Sequence, residues 1–267
     1  MCDHPQPHRH GLARPFKCHV LRDTLPSAVS VVSRRGFIKK LTGAPALATL
    51  DALSRPAAAQ PNPSAKPTAG RTSWAWLVTP DPDWDAHAGN VPDLAKFIRQ
   101  ETNLELDPTL HPVKPSNLEQ LCACPFIFSE DLTKVKNAQE LLNLREYLYR
   151  GGFIYVDACL NAKINPSLRV FYERHLAFIS KLLPGAEIRR LGADHAIFRA
   201  YFPLKESVVT KFYTTDWPQA LYGVFDDNRM IMLLSLQTLF CGWPQDPEKM
   251  QIDLRQITNI YVYALAR

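Results

Sequence analysis

The sequence predicts an α/β fold, a doubly wound and mostly parallel sheet with an antiparallel hairpin addition, and three observations predict it. Residues 137–159, NAQELLNLREYLYRGGFIYVDAC, read as a capped amphipathic helix, a Gly-Gly turn and a strand apolar enough to be buried on both faces. Upstream of Pro184-Gly185, strand-like runs alternate with helical periodicity, the rhythm of parallel βαβ units. Downstream, two apolar runs flank Asp226-Asp227-Asn228-Arg229, the signature of a hairpin turn.

The elements follow in order. Residues 74–79 (WAWLVT) form the first strand and lead into the turn-rich PDPDWD. Asn90 caps a helix with Pro92 in its first turn, where a missing N–H costs nothing. Residues 111–114 suggest a short strand before the segment 118–122, and residues 126–128 a clearer one ending at Ser129-Glu130. Asn137 caps the central helix, with Glu140 reaching back to complete a capping box. Gly151 closes that helix in the left-handed conformation. A helix at 167–183 stops at Pro184-Gly185; strands at 188–191 and 196–202 bracket Asp194-His195; a final helix spans roughly 248–265.

The amino-terminal region carries a different message. Ser33-Arg34-Arg35-Gly36-Phe37-Ile38-Lys39 resembles the twin-arginine export signal almost position by position. A weakly apolar stretch, 41–53, follows and is too short and too polar to span a bilayer. Ala57-Ala58-Ala59 provides a signal-peptidase site, with cleavage expected after Ala59. The expected organisation is therefore a signal peptide at 1–59, a Pro/Ala/Ser-rich flexible linker at 60–71, and one α/β domain at 72–267, located in the periplasm without a stable membrane span after cleavage. The n-region is long, and one explanation is a later start, at a codon such as that of Val20 or Leu21.

Charge supports this division. Residues 1–59 hold nine Lys/Arg against three Asp/Glu, whereas the remainder holds 22 against 23, so the net charge of +5 belongs to the leader. A nucleic-acid partner loses its main support. His4, His8, His10 and His19 resemble a metal tract but lie upstream of the cut; His87, His111, His175 and His195 remain. Cys122, Cys124, Cys159 and Cys241 also remain, allowing three full disulfide pairings. Cys122 and Cys124 alone make no zinc signature, and buried thiols or one disulfide are the expected states.

From about Trp74 to the end, the chain resembles the DUF4159 family. The resemblance rests on Asp83-Trp84, Pro125-Phe126, Leu144-Arg145-Glu146-Tyr147-Leu148 and Gly151 through Asp157. Further along it rests on Asp194-His195-Ala196-Ile197-Phe198, Gly223 with Arg229, and the finish from Asn259 to Ala264. It implies a flavodoxin-like, class I glutamine amidotransferase-like architecture and no particular activity. Two departures stand out: Ala158, where relatives carry a second acid, and Ala196, where a Pro is typical.

A doubly wound sheet gathers functional groups at the carboxyl ends of its strands. The candidate ligand-binding residues are Asp83, Trp84, Glu130, Asp157, Asp194, His195 and Arg229, with Asp85, Ser129 and Cys159 nearby in sequence. Each has a structural alternative, such as an Asp capping a helix, a local His–Asp pair or a core Trp. The expected function is a non-catalytic module binding a protein or glycan of the cell envelope. The alternative is a hydrolase-like or metal-dependent enzyme using Asp157 and His195. No metal ligands and no cofactor are assigned, although a carboxylate–histidine crevice suits a divalent metal. Cys159 lacks the glycines of a nucleophile elbow, and Asp157 is expected to raise its thiol pKa. It is therefore expected not to be catalytic, and glutaminase activity is not expected.

Overall fold

The computed structural model describes residues 72–159, 167–204, 217–245 and 250–267. The expected signal peptide and linker lie outside the described residues. Seven strands form one mixed sheet: β1 (Thr72–Leu77), β2 (Leu106–Val113), β3 (Phe126–Ser129), β4 (Phe153–Asp157), β5 (Glu187–Arg190), β6 (Leu221–Asp226) and β7 (Arg229–Ser235), in the order β2-β1-β3-β4-β7-β6-β5. The first five in that order are mutually parallel, and β6 runs antiparallel to both β7 and β5. The α/β class, the mostly parallel sheet and the antiparallel hairpin thus agree with the sequence reading. The hairpin turns through Asp227, at φ 53°.

Strand alternation sends successive side chains to opposite faces, and both faces are apolar. Trp74, Trp76, Phe126, Phe128, Phe153 and Tyr155 make one face aromatic, packed under α1 (Val91–Glu101) and the carboxyl-terminal helix. Ala75, Leu77, Ile127, Ile154, Val156, Met232 and Leu234 make the other aliphatic. It is covered by α2 (Leu118–Cys122), α3 (Ala138–Tyr149) and α4 (Leu168–Leu182). The short α5 (Leu239–Gly242) and long α6 (Met250–Ala266) complete the fold on the aromatic side, where Phe240 stacks on Trp74 with centroids 5.4 Å apart.

Three local expectations are corrected. Residues 196–202 form no strand: Ala196–Arg199 is a 3-10 turn followed by bends. The Asn259 side chain in α6 accepts the Tyr201 and Phe202 N–H groups and donates to Phe202 O, doing the work a neighbouring strand would do. Asn90 holds the N-cap position of α1, with Pro92 in the first turn as expected, but its side chain makes no capping bond; its amide donates instead to Phe240 O at 2.9 Å, tying the loop to α5. Asn137 does cap α3, accepting from Gln139 N and Glu140 N, but no return bond from Glu140 forms among the described residues. Gly151 has φ +108°, as the turn requires.

Candidate functional site

The chain leaves β1 toward β2 and returns on the other side through β3, so the topology switches between β1 and β3. Crevices open at the carboxyl ends of such strands. The one here is lined by Trp76, Thr79, Asp81, Asp83, Trp84, His87, Ser129, Glu130, Asp131 and Cys159, and encloses about 60 Å³. A single water needs roughly 10–15 Å³ on that measure, so there is room for a handful of waters.

The loop after β1 is wound by backbone bonds, Trp84 N to Asp81 O, Ala86 N to Asp83 O and Ala88 N to Asp85 O, which deliver His87 over the end of β3. There His87 Nδ1 meets Glu130 Oε1 at 2.6 Å. Burial alone would lower the imidazole pKa, but the bond and charge of Glu130 reverse this and raise it. Burial also raises the Glu130 carboxyl, aided by Asp81 and Asp85 and opposed by His87. The pair therefore holds its proton firmly.

Two of the other crevice carboxylates, Asp81 and Asp131, are committed. Asp81 accepts Asp83 N at 3.1 Å and pairs with Lys134 at 3.2 Å, bridging the β1 and β3 loops. Asp131 accepts Thr133 N and hydroxyl, and Arg174 reaches its other oxygen at 2.7 Å. Ser129 differs: it is 1% exposed, it lines the crevice, and its Oγ has no hydrogen-bond partner among the described residues.

Asp157 ends β4 fully buried, and its Oδ2 accepts Phe240 N at 2.7 Å. It thus caps α5 rather than the helix that follows its own strand. The hydroxyls of Ser235 and Tyr155 lie beside the carboxyl group, yet Oδ1 forms no well-aligned hydrogen bond. Burial raises its pKa to about 7, against the opposing pull of the Phe240 N–H.

Two residues on, Cys159 faces Cys241 of α5 and His87. Their sulfur atoms and one imidazole nitrogen all lie within 4.8 Å of one another. Cys241 is buried and Cys159 half-buried, and no disulfide joins cysteines among the described residues. The Cys241 thiol donates to Cys159, which lowers the Cys159 pKa despite burial and Glu130, and raises that of Cys241. Asp157 does oppose ionisation of Cys159, as the sequence suggests, but as a minor influence. The expected raised thiol is therefore corrected to a lowered one.

The crevice thus brings together Asp83, Trp84 and Glu130, with Asp157 buried behind it. Asp194, His195 and Arg229 stand elsewhere. His195 Nδ1 accepts Ile197 N at 3.2 Å, capping the 3-10 turn, and its ring packs on Tyr263 with centroids 5.5 Å apart. Asp194 receives Arg199 on its carbonyl. Arg229 begins β7 at the opposite, amino edge, where it donates to Leu148 O and lies 3.6 Å from Asp226. Sequence reasoning missed His87 and Cys241. The one available signal was His87's place at the end of the Asp-rich loop after the first strand.

The chain belongs to the DUF4159 family, a domain of unknown function, whose model matches residues 73–265. No curated protein matches it significantly.

Proposed function

We propose that this is an exported, periplasmic binding module whose ligand seat is the crevice between β1 and β3, and that its occupant is a small cation. The observation that carries this reading is the His87–Glu130 contact inside a crevice of carboxylates and tryptophan, with the partnerless Ser129 Oγ on its wall. Buried polar atoms without partners are uncommon in folded proteins and are satisfied when a ligand or water arrives. A crevice of about 60 Å³ is too small for a sugar ring, so a protein or glycan partner in the envelope would meet the outer surface instead. Export rests on the twin-arginine pattern at Arg34 and Arg35 with cleavage after Ala59. No helix among the described residues is long and apolar enough to cross a membrane. A flavodoxin-like, class I glutamine amidotransferase-like architecture is the finer reading of the fold. It is supported by five parallel strands in the order 2-1-3-4-5, counted by appearance among the parallel set.

A second reading, a thiol hydrolase, has its own support. Cys159, His87 and Glu130 form a thiol–imidazole–carboxylate series, in which His87 replaces the expected His195. The flanking Asp157 and Asn161 still lack the small residues of a nucleophile elbow, so binding is preferred.

One experiment tests both halves. The wild-type full-length gene product and an R34K/R35K variant are fractionated, and the exported form is titrated calorimetrically with Zn²⁺, Ca²⁺ and methylammonium. Only the wild type should reach the periplasm, and at least one cation should bind, about tenfold more weakly in Glu130→Gln. Export of the double variant would remove the export half. Absence of binding by all three probes would remove the crevice half.

A further inference from the structure

His87 and Cys159 of the crevice wall belong to a cluster with Cys241 that the sequence concealed, because its members are separated by 72 and 82 positions along the chain. We propose that His87, Cys159 and Cys241 form a three-ligand site for a thiophilic divalent cation of the zinc class. Glu130 would act as the positioning residue behind the imidazole. The inference rests on the crevice reading and names the cation that the crevice takes.

Geometry is the first support. Zinc binds thiolate sulfur at about 2.3 Å and imidazole nitrogen at about 2.0–2.1 Å, so tetrahedral ligand atoms stand roughly 3.6–3.8 Å apart. The two sulfurs and one nitrogen of the His87 ring lie within 4.8 Å of one another, so closing onto an ion requires only small side-chain adjustments. They come from three separate places: the loop entering α1, the end of β4, and α5. The hydrogen bond from Phe240 N to Asp157 Oδ2, at 2.7 Å, fixes α5 to β4. The bond from Asn90 to Phe240 O, at 2.9 Å, fixes the loop to α5. The cluster is thereby assembled by the fold and does not depend on one flexible segment.

The orientation of His87 is the second support. Its Nδ1 is held by Glu130 at 2.6 Å, which leaves Nε2 as the ring's remaining ligand atom. A carboxylate holding one imidazole nitrogen while the other binds metal is the usual outer arrangement of histidine–zinc sites. Donor chemistry then selects the ion. Asp81 and Asp131 are already paired with Lys134 and Arg174, which leaves Asp83 and Glu130 as the remaining crevice carboxylates, fewer oxygens than a hard cation takes, whereas two sulfurs and an imidazole suit zinc. Three protein ligands leave one position open, and the partnerless Ser129 Oγ lines the same crevice, available to a water in that position.

The exported form, cleaved after Ala59 and purified under reducing conditions, is titrated with Zn²⁺ and, separately, with Co²⁺. The expected result is a single equivalent of either ion and a thiolate-to-cobalt charge-transfer absorption. Cys159→Ser and Cys241→Ser should abolish that absorption, Cys122→Ser should retain it, and Glu130→Gln should weaken Zn²⁺ binding about 10–100-fold. Should Cys241→Ser fail to fold, peptide mapping of the wild type decides, with Zn²⁺ expected to protect Cys159 and Cys241 from alkylation while leaving Cys122 reactive. A cobalt spectrum without thiolate absorption, or a Cys159–Cys241 disulfide in metal-free protein recovered from the periplasm, would overturn the site. Binding of Ca²⁺ or methylammonium alone would overturn it while leaving the crevice reading intact.

Discussion

The two edges of the sheet treat their polar groups in opposite ways. At the amino edge, around Gly151-Gly152, the groups are paired. Tyr147 Oη lies 2.9 Å from Cys124 O and 3.1 Å from Phe153 O, either of which can take its proton, and it accepts Phe153 N at 3.0 Å. Arg267 donates to the carbonyls of Met230, Gly151 and Gly152, and its guanidinium covers the Phe153 ring. At the carboxyl edge, Ser129 Oγ has no partner among the described residues and Asp157 Oδ1 forms no well-aligned bond. A closed network fixes a fold, whereas an open one holds interaction capacity in reserve for something that binds.

The largest test strikes the closed edge. A Cβ on Gly152 would lie 2.2 Å from the Tyr147 ring, forcing that ring, and the hydroxyl network it carries, to move. Gly152→Ala should therefore cost about 3 kcal/mol or more, combining overpacking with lost buried bonds, and lower the melting temperature by roughly 10 °C. A thermal melt matching wild type would mean that Tyr147 is not held there as described.

A smaller effect is expected behind the crevice wall, where burial dominates. His175 is fully buried in α4; its Nδ1–H donates to Phe171 O at 2.9 Å, and its Nε2 lies 3.6 Å from Asp131 Oδ1. Burial pulls its pKa to about 4, against the attraction of Asp131 and with the repulsion of Arg174. The unfolded chain takes up a proton near pH 6.5 that the native state refuses until about pH 4, so this group lowers stability as pH falls through that window. Between pH 7.5 and 5 the loss should be about 2 kcal/mol. Denaturant unfolding of wild type and His175→Leu should differ in pH slope by that amount; parallel slopes would show that native His175 takes up its proton as readily as the unfolded chain does.

Local signals made most of the fold legible. Asn137, Gly151 and the run Phe153–Val156 act on their immediate neighbours, and the structure returns the cap, the left-handed turn and the buried strand. Residues 196–202 were misleading because their apolar pattern suits a strand, while the groups that satisfy their backbone come from Asn259, some 57 positions away. The site divides along the same line. Asp83, Trp84 and Glu130 follow strands directly and fall at the crevice by topology. Asp194-His195 is conspicuous in sequence, yet its histidine serves its own 3-10 turn. His87 is marked only by its place at the end of the Asp-rich loop and Cys241 not at all, because their partners, Glu130 and Cys159, are brought to them only by the assembled sheet.

The smallest expected effect falls on the open edge and separates the two edges most cleanly. Ser129→Ala removes a buried hydroxyl whose Oγ bonds to nothing among the described residues. No hydrogen bond is lost, and the cost of holding an unsatisfied hydroxyl away from water disappears, so stability should stay unchanged or rise by up to about 1 kcal/mol. Removing a hydroxyl at the closed edge is a matched comparison. Tyr147→Phe strands the buried Phe153 N–H and should cost about 1–3 kcal/mol. Urea unfolding of the two variants, in protein stripped of metal, therefore has opposite expected signs. If Ser129→Ala destabilises as much as Tyr147→Phe does, Ser129 belongs to a closed structural network, and the carboxyl edge holds nothing in reserve at that position.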